Sequence, residues 1–379
     1  MSDFFRDKVI LITGAAGTIG KEIVRQLLAT EAREIRLIDN NESELFYLGN
    51  KYRHHGPVTL YLGDVRDEKK LLNVTQGVDL IFHLAALKHV GLSEYNPFEA
   101  VQTNINGVKH LVQAAMSNNV PRVIYTSSDK AVNPTNVMGT SKLMGERIIT
   151  AANIVNSNGR QIFSSVRFGN VLGSRGSVVP IFAQQIINGK KITITDARMT
   201  RFVMTIQEAA QLVLEAATLV CGGEVLVTKM PVMRIVDLAR AMACLLAPQI
   251  GRDPEKITCK YVGATPGEKL YEELMTIEEV GRLKELPSMF AILPGLEAFY
   301  HKISYSYPDE LPQTNKQPYI SSLQTPMSVA EIKDYLKRYG ILDEFLPPGD
   351  SWHPGYGPLP VEREPAPPAA NNNYKYQSG

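Results

Sequence analysis

The chain has 379 residues, of which 44% are hydrophobic and 21% charged, and its formal net charge is +1. This composition is ordinary for a soluble globular protein, and the balanced charge excludes the strongly basic character of proteins that bind nucleic acid or anionic membrane surfaces. The three cysteines show no CxxC spacing, so the sequence indicates neither a disulfide framework nor a zinc site, and we predict no metal.

The first residues of the chain are polar and charged and lead directly into an apolar segment. Residues 1–7 lack the apolar core of a signal peptide. No segment approaches the roughly 18 consecutive apolar residues of a membrane-spanning helix. We therefore expect a cytoplasmic protein that binds neither membrane nor nucleic acid.

Up to residue 168, short apolar segments alternate with segments whose apolar residues recur at helical spacing. Strands that alternate with helices in this way predict right-handed βαβ units, so we expect an α/β fold with a doubly wound parallel sheet of the Rossmann type. The predicted strands are 8–12, 36–38, 58–62, 80–84, 123–126 and 163–167, and the predicted helices are 21–28, 42–52, 97–117 and 142–156.

After residue 169 the alternation becomes less regular. Helices are predicted at 178–188, 206–220 and 235–247, and strands at 192–194, 223–228 and 257–262. We predict that residues 1–168 and about 203–230 form a Rossmann domain that binds a cofactor. A smaller, mostly C-terminal α/β domain for the substrate would comprise about 169–202 and 231–346, and 347–379 would form a tail rich in Pro and Asn.

A glycine-rich turn follows the first predicted strand. Residues 13–20 read TGAAGTIG, a GxxGxxG spacing that lets backbone amides approach a pyrophosphate at the start of the next helix. Asp39 follows the second strand, about 20 residues beyond the glycines, where an acid would bind a ribose, and no arginine directly follows it to hold a 2′-phosphate. The pattern predicts NAD, bound by Thr13, Gly14, Gly17, Thr18, Ile19, Asp39, Asp64, Val65, Leu84, Ala85 and Ala86.

A hydroxyl, a carboxyl and an amine follow the fifth predicted strand as Ser128, Asp129 and Lys130. Lys142 lies at the start of the next predicted helix. Open α/β sheets bind ligands at the carboxyl ends of their strands. These side chains supply a hydrogen bond to an oxygen, a general acid and a general base, which suits β-elimination of water next to a carbonyl. We predict these four residues as the catalytic group.

With these residues the chain resembles the extended short-chain dehydrogenase/reductase superfamily, and within it the nucleotide-sugar 4,6-dehydratases of polysaccharide and glycan biosynthesis. The resemblance covers roughly residues 8–346 and rests on the glycine turn and on the stretches 85–90, 128–136, 167–174, 199–202 and 266–274. It implies a lyase that carries tightly bound NAD and acts on UDP-N-acetylglucosamine. It also implies a homo-oligomer, with 97–117 and 142–156 as the candidate interface helices.

The chain departs from the superfamily pattern at one position. Met138 occupies the tyrosine position of the YxxxK motif, while Lys142 is retained. Methionine neither donates nor accepts the substrate proton. The chain therefore resembles the non-inverting, C5-retaining branch of the UDP-N-acetylglucosamine 4,6-dehydratases, which carries methionine here, and it looks like a soluble form of that branch.

The resemblance implies a role for each catalytic residue. Lys130 would be the base at C5, which requires a lowered pKa, and we expect burial and the nearby cations NAD and Lys142 to lower it. Asp129 would protonate the leaving C6 hydroxyl, and Ser128 would hydrogen-bond the C4 oxygen. Lys142 would hold the nicotinamide ribose. Either Asp129 or a water relayed through Ser128 would take the C4 hydroxyl proton, and the sequence leaves both open.

The resemblance also implies contacts with the nucleotide sugar. Arg201 would clamp phosphate oxygens bidentately, with Arg175 as a weaker second choice. Lys88 would contact cofactor or diphosphate. The implied substrate contacts are Lys88, His89, Ser128, Met138, Asn170, Arg175, Arg201 and Glu268.

Three other functions compete with the C5-retaining dehydratase. An inverting dehydratase protonates C5 from the opposite face, and Met138 argues against it. A UDP-sugar 4-epimerase needs only redox chemistry at C4, so it has no use for the Asp129–Lys130 pair. A catalytically inactive NAD-binding sensor is favoured only by the missing tyrosine and the unusual tail.

Overall fold

The computed structural model describes residues 2–53, 56–155, 161–174, 176–263, 267–295 and 303–346. Arg175 and the predicted tail 347–379 lie outside the described residues. The strands in these ranges are β1 Val9–Thr13, β2 Glu34–Asp39, β3 Val58–Leu62, β4 Leu80–His83, β5 Arg122–Ser128, β6 Ile162–Phe168, β7 Asn170–Val171, β8 Ile192–Ile194, β9 Thr200–Met204, β10 Val225–Thr228, β11 Val232–Arg234, β12 Cys259–Tyr261, β13 Glu273–Met275, β14 Leu283–Glu285, β15 Met289–Ile292 and β16 Tyr319–Ile320.

The α-helices are interspersed between these strands. They are α1 Ser2–Phe5, α2 Thr18–Leu27, α3 Glu42–Tyr52, α4 Glu68–Val74, α5 Val90–Tyr95, α6 Pro97–Ala100, α7 Gly107–Ser117, α8 Val137–Val155, α9 Val178–Ile187, α10 Ile206–Leu219, α11 Ile235–Leu246, α12 Ile277–Val280 and α13 Val329–Arg338. A π-helix, Val101–Asn106, joins α6 to α7. None of the helices in the described ranges combines the length and apolar character needed to cross a membrane.

Among the described residues, the largest sheet has nine strands in the order β14-β15-β10-β6-β5-β4-β1-β2-β3. The strands from β10 to β3 pair in parallel, whereas β15 and β14 are antiparallel additions at one edge. The order reverses between β1 and β4, which is the switch point where doubly wound sheets bind ligands. The predicted α/β fold class with a Rossmann-type sheet is confirmed.

Both faces of this sheet are covered by helices. Successive strand residues point to opposite faces, so Ile10 and Ile12 pack with the buried side chains of α2, α3 and α10, while Val9 and Leu11 pack with those of α4, α7 and α8. Residues buried on both faces explain the nearly continuous apolar runs of β1 and β4. The capping box of Thr205 and Glu208 starts α10, which lies against α2 on the first face.

A second hydrophobic core forms beside the large sheet. It gathers apolar side chains of α9, α11 and α13 with those of the short strands β8 and β9. β9 pairs in parallel with β7 and antiparallel with β11, and β8 pairs with β12. The predicted division into two domains stays a proposal, but β14 and β15, which lie in the range assigned to the smaller domain, hydrogen-bond into the large sheet.

Candidate functional site

A cleft of about 800 Å³ opens at the carboxyl ends of the parallel strands. The glycine turn after β1 and the polar turn after β5 line the same cleft, so the structure brings the predicted cofactor and catalytic residues together. The predicted residues that line it are Gly14, Gly17, Thr18, Ile19, Asp39, Asp64, Val65, Leu84, Ala85, Ala86, Lys88, His89, Ser128, Asp129, Lys130, Met138, Lys142 and Asn170.

The glycine turn allows a very close approach between β1 and the loop after β4. Gly14 has φ +68°, and a Cβ there would lie 2.7 Å from the backbone nitrogen of Ala85. Asp39 is fixed beside this turn, since its carboxylate accepts hydrogen bonds from the backbone nitrogens of Ala16 at 2.9 Å and Asn41 at 3.0 Å. A crowded backbone turn before α2 and an acid anchored beside it fit a dinucleotide such as NAD.

Thr13, also predicted for the cofactor, lies beneath the cleft. Its hydroxyl lies 2.6 Å from Nδ1 of His83, which is fully buried at the end of β4. Burial and the charge of Lys142 lower the pKa of His83 to about 3. The imidazole is therefore neutral at physiological pH, and we assign Thr13 a supporting position.

Asp64 lies at the far side of the cofactor region. Its carboxylate accepts hydrogen bonds from the guanidinium of Arg66 at 3.0 and 2.8 Å and from the side chain of Asn40 at 3.1 Å. Burial would raise the pKa of Asp64, but these hydrogen bonds outweigh it and hold the pKa below its usual value. Asp64 therefore provides a charged acceptor in the cleft.

Asn104, which sequence analysis missed, joins the loop after β4 to α8, the helix that carries Lys142. It lies in the π-helix and is buried. Its side chain accepts a 2.8 Å hydrogen bond from the backbone nitrogen of Leu87 and donates bonds of 2.9 Å to the Leu87 carbonyl and to Oγ of Ser141 on α8. π-helical turns are often found at functional sites. A buried polar residue within an apolar helical pattern was the available sequence signal.

The predicted catalytic residues Ser128, Asp129 and Lys130 lie at a single 3₁₀ turn, Asp129–Ala131, that begins where β5 ends and that we call the catalytic turn. The Ser128 hydroxyl donates a 2.8 Å hydrogen bond to Oδ1 of Asp129, and the Lys130 ammonium lies 3.0 Å from the same oxygen. The Oδ1 atom of Asn170 lies 3.4 Å from that ammonium. Oδ2 of Asp129 is buried and has no hydrogen-bond partner among the described residues.

The expected lowering of the Lys130 pKa is wrong. Burial does act to lower this pKa, but the charges of Asp129 and of Glu272 outweigh burial and raise it. The expectation included burial and the neighbouring cations, but neither the charge of the adjacent Asp129 nor that of Glu272, which lies far away along the chain. Lys130 is therefore an ammonium held between carboxylates in this structure.

Lys142 is buried on α8, with its amine directed at the end of β5. Nζ donates a 2.7 Å hydrogen bond to the carbonyl oxygen of Thr126 and lies 4.3 Å from the ring centre of Tyr125. Burial lowers the pKa of Lys142 to about 7, although the charge of Glu146 opposes the change. Met138 lies one turn earlier on the same helix, is buried and lines the cleft.

Arg201 does not lie where a phosphate clamp is expected. Its guanidinium donates to the carbonyl oxygens of Thr200 at 2.8 Å and Lys269 at 2.8 Å, and its Nε lies 3.3 Å from Glu272. Neither Arg201 nor Glu268, whose carboxylate lies 3.8 Å from it, is among the described residues that line the cleft. Arg201 instead fixes the segment that carries Glu272.

Arg167, Glu146 and Glu279 form a buried ionic triad that connects elements carrying the site. Arg167 at the end of β6 is bonded at 2.7 and 3.0 Å to Glu146 of α8 and at 3.1 and 3.2 Å to Glu279 of α12. Burial acts to lower the pKa of Arg167, but the two carboxylates outweigh it and raise the pKa. The triad joins the helix that carries Lys142 to the C-terminal third of the chain.

No group of three or more His, Cys, Asp or Glu side chains within the described ranges is arranged to hold a metal ion.

Comparison with known proteins places this site in a family. The family model described as "Polysaccharide biosynthesis protein" matches residues 10–294. An uncharacterized membrane protein of Methanocaldococcus jannaschii is 49% identical over 294 residues, which are 78% of this chain and 88% of that protein. A UDP-N-acetylglucosamine 4,6-dehydratase (inverting) of Campylobacter jejuni is 37% identical over 296 residues, or 77% of this chain and 85% of the enzyme.

Two further proteins align over almost the whole of their own length. A UDP-glucose 4-epimerase of Rickettsia typhi is 33% identical over 347 residues, which are 90% of this chain and 99% of the epimerase. The X-ray structure of Pen from Bacillus thuringiensis superposes with a TM-score of 0.82 at 38% identity, covering 89% of this chain and 99% of that one.

Proposed function

This chain belongs to the polysaccharide biosynthesis protein family, and on that basis we propose that it is an NAD-dependent nucleotide-sugar 4,6-dehydratase that acts on UDP-N-acetylglucosamine. The product would be a UDP-4-keto-6-deoxy-N-acetylhexosamine. One observation carries the proposal: the Asp129–Lys130 pair, with Nζ 3.0 Å from Oδ1, lies in the same cleft as the glycine turn. An acid and a base beside a bound sugar can eliminate water, whereas a reaction limited to redox chemistry at C4 does not need this pair.

NAD, when bound, would supply the reversible hydride chemistry between C4 and C6 of the sugar. The glycine turn and Asp39 would hold its diphosphate and a ribose, and Lys142 would hold the ribose next to the nicotinamide. The buried amine of Lys142 is anchored on Thr126, so it can present its remaining N–H groups to hydroxyls in the cleft without moving.

Asp129 is the group that we assign to the C4 hydroxyl proton. Its Oδ1 is occupied by Ser128 and Lys130, whereas its buried Oδ2 has no partner among the described residues and can accept a proton. The O–H bond of the substrate breaks as hydride leaves C4, and the new carboxylic acid can then protonate the leaving C6 hydroxyl. Asp129 would thus take the proton in the first stage and release it in the second.

Lys130 is the base that we assign to C5. The ketone at C4 acidifies the C5 proton, and the elimination needs a neutral amine to remove it. When Asp129 is protonated, its charge no longer stabilises the Lys130 ammonium, which favours release of the ammonium proton to solvent and leaves the neutral amine. The same amine would return the proton to C5 after hydride reaches C6.

We further propose that the C5 configuration is retained. Met138 supports this, because it lines the cleft one turn before Lys142 and provides no proton for the opposite face. The relative from Campylobacter jejuni is an inverting enzyme, so the stereochemistry needs its own measurement. The proton coupling of C5 in the product decides it. In Met138→Leu, which keeps an apolar wall of similar volume, the product should have the same configuration.

A UDP-sugar 4-epimerase is the second candidate, since the epimerase from Rickettsia typhi aligns with 90% of this chain. Incubation of the purified protein with UDP-N-acetylglucosamine, followed by proton NMR and mass measurement, separates the two. Loss of one water with a new C6 methyl signal supports the dehydratase. Unchanged mass with an altered C4 configuration favours the epimerase. No reaction with NAD bound would leave another UDP-sugar or a sensor role.

Exposed apolar side chains support the proposal of a homo-oligomer. Leu92, Tyr95 and Phe98 are 65%, 88% and 82% exposed, and they cluster in α5 and α6 next to the predicted interface helices. Large exposed apolar groups in one place are typical of protein–protein contacts.

Cys221, Cys244 and Cys259 are free thiols, which is typical of a reducing compartment, so we also propose a cytoplasmic location.

A further inference from the structure

Glu272 is a buried carboxylate directly beside the catalytic turn, although it lies just before β13 in the C-terminal third. Only 3% of the residue is exposed. Its Oε1 lies 3.7 Å from Nζ of Lys130 and 3.3 Å from Nε of Arg201. Its Oε2 is buried without a hydrogen-bond partner among the described residues. Such a group is costly to bury, so its charge interactions with Lys130 and Arg201 must offset that cost.

The backbone of Glu272 is fixed. Its nitrogen donates a 2.9 Å hydrogen bond to Oγ of Ser321, and its carbonyl accepts one of 2.9 Å from the Ser321 nitrogen. Three residues earlier, the amine of Lys269 donates to the carbonyls of Val132 and Asn133, at 3.0 and 2.8 Å. The segment is therefore joined to the catalytic turn on one side and to the core on the other, which fixes the carboxylate relative to Lys130.

The charged groups around Glu272 come from three parts of the chain. Asp129 and Lys130 face it from the turn after β5, Arg201 from β9, and Lys269 from its own segment. Burial and the charge of Asp129 raise the pKa of Glu272, and Lys130 and Arg201 oppose this. The Lys130 ammonium therefore has two carboxylate partners. Asp129 lines the cleft, whereas Glu272 is not among the described residues that line it.

We propose that Glu272 is a positioning residue: it holds the Lys130 amine at the edge of the cleft and sets the pH at which this amine loses its proton. The catalytic meaning of this inference rests on the proposed dehydratase function, whereas the coupling between the two side chains does not. Asp129 cannot serve alone, because it changes its charge when it takes up and delivers the substrate proton. Glu272 is set back from the substrate and keeps its interaction with Lys130 through the reaction.

The first test measures the coupling without any substrate. Lysines of the full chain are dimethylated with ¹³C-formaldehyde, and the Lys130 signal is assigned by its loss in Lys130→Arg. Its titration is then compared between wild type and Glu272→Gln. Removing a negative charge this close should lower the midpoint by about 1 pH unit. The matched control is Glu273→Gln, the same change one residue later, and its midpoint should equal that of wild type.

The second test follows turnover of UDP-N-acetylglucosamine against pH. In Glu272→Gln, the limb that rises with pH should move by about 1 unit to lower pH, and Glu273→Gln should leave it in place. A role in packing alone would lower kcat at every pH and leave the limb unmoved, and that result overturns the proposal. So does an unmoved Lys130 titration, or an equal displacement in both variants.

Folding and function can be separated in these tests. If Glu272→Gln does not fold, Glu272→Asp withdraws the carboxylate from Lys130. A lower Lys130 midpoint in that variant supports the proposal, and an unchanged midpoint overturns it. If wild type gives no product, the proposed function fails, while the NMR titration still decides whether Glu272 controls Lys130.

Discussion

The ammonium nitrogen of Lys142 lies 2.7 Å from the carbonyl oxygen of Thr126, inside a site where burial lowers the pKa of this lysine to about 7. One backbone carbonyl orients the amine, but it does not compensate for the hydration that the ammonium loses on burial. The pKa of Lys142 is therefore a measure of how far water is excluded from this end of the cleft.

The stability of the protein should rise with pH because of Lys142. The unfolded chain keeps this proton up to about pH 10.5, whereas the folded chain releases it near pH 7. Between these values the unfolded state binds more protons, so the free energy of unfolding increases with pH. We expect the free energy of wild type minus that of Lys142→Met to rise by several kcal/mol across this range. Urea titrations of the NAD-free protein at several pH values measure it, and a flat difference contradicts the prediction.

Lys130→Ala should abolish the elimination and leave NAD bound. Replacing Lys130 by alanine removes the proposed base at C5 and leaves the residues of the glycine turn unchanged, so we expect a loss of at least about 100-fold in turnover. Product NMR and the NAD content of the purified variant provide the two measurements. Lys190→Ala, at an exposed lysine outside the cleft, is the control. Full turnover by Lys130→Ala would remove Lys130 from the mechanism.

Gly14→Ala should prevent cofactor binding, and Gly77→Ala should not. Both glycines have positive φ, +68° and +66°, but a Cβ at Gly14 would meet the Ala85 nitrogen at 2.7 Å, whereas Gly77 has no neighbour within 4 Å. Both variants should lose about 1–2 kcal/mol of stability from the left-handed backbone alone. Only Gly14→Ala should lose most of its NAD, measured by absorbance of the released cofactor. Equal NAD content in the two variants would contradict the prediction that contact between a Cβ at position 14 and Ala85 prevents NAD binding.

Arg167→Met should destabilise the protein by about 3–5 kcal/mol, because it leaves Glu146 and Glu279 buried without their cation. Arg198→Met removes an arginine from the exposed pair with Asp196, which solvent screens, so this variant should lose much less stability. Chemical denaturation of both variants at one pH gives the comparison. Similar losses in the free energy of unfolding would contradict the prediction that the buried triad contributes more to stability than the exposed pair.

The local patterns that predicted the fold were those that short segments can encode. The glycine spacing before α2 and the apolar runs of β1 and β4 each depend on neighbours within a few residues, so they could be read from the sequence. The antiparallel strands β14 and β15 could not, because their place depends on β10, more than fifty residues earlier. The same is true of the π-helix, which interrupts a segment whose apolar spacing is helical throughout.

In the site, the residue types were easier to predict than their partners. The presence of Asp129 and Lys130 in the cleft could be predicted because they are adjacent at the end of a predicted strand, and that of Lys142 because it follows at a fixed spacing. The Lys130 pKa was predicted in the wrong direction because the charges of the adjacent Asp129 and of Glu272, which comes from a distant segment, were not weighed against burial. Arg201 was expected as a phosphate clamp from its side-chain type and the resemblance, whereas its backbone carbonyl partners, one of them in a distant segment, could not be predicted from the sequence. Charge balance in a buried cluster depends on the complete fold.

The π-helix at Val101–Asn106 has a consequence for how this protein can vary in length. Asn104 reaches Leu87 and Ser141 only at one rotation about the helix axis. One residue of an α-helix corresponds to about 100° of rotation, so a single deletion before Asn104 would turn its amide away from both partners while the helix stayed continuous. Substitutions on the outer side of this segment can accumulate, but a one-residue gap cannot. In an alignment, such a gap would mark chains that have lost this link.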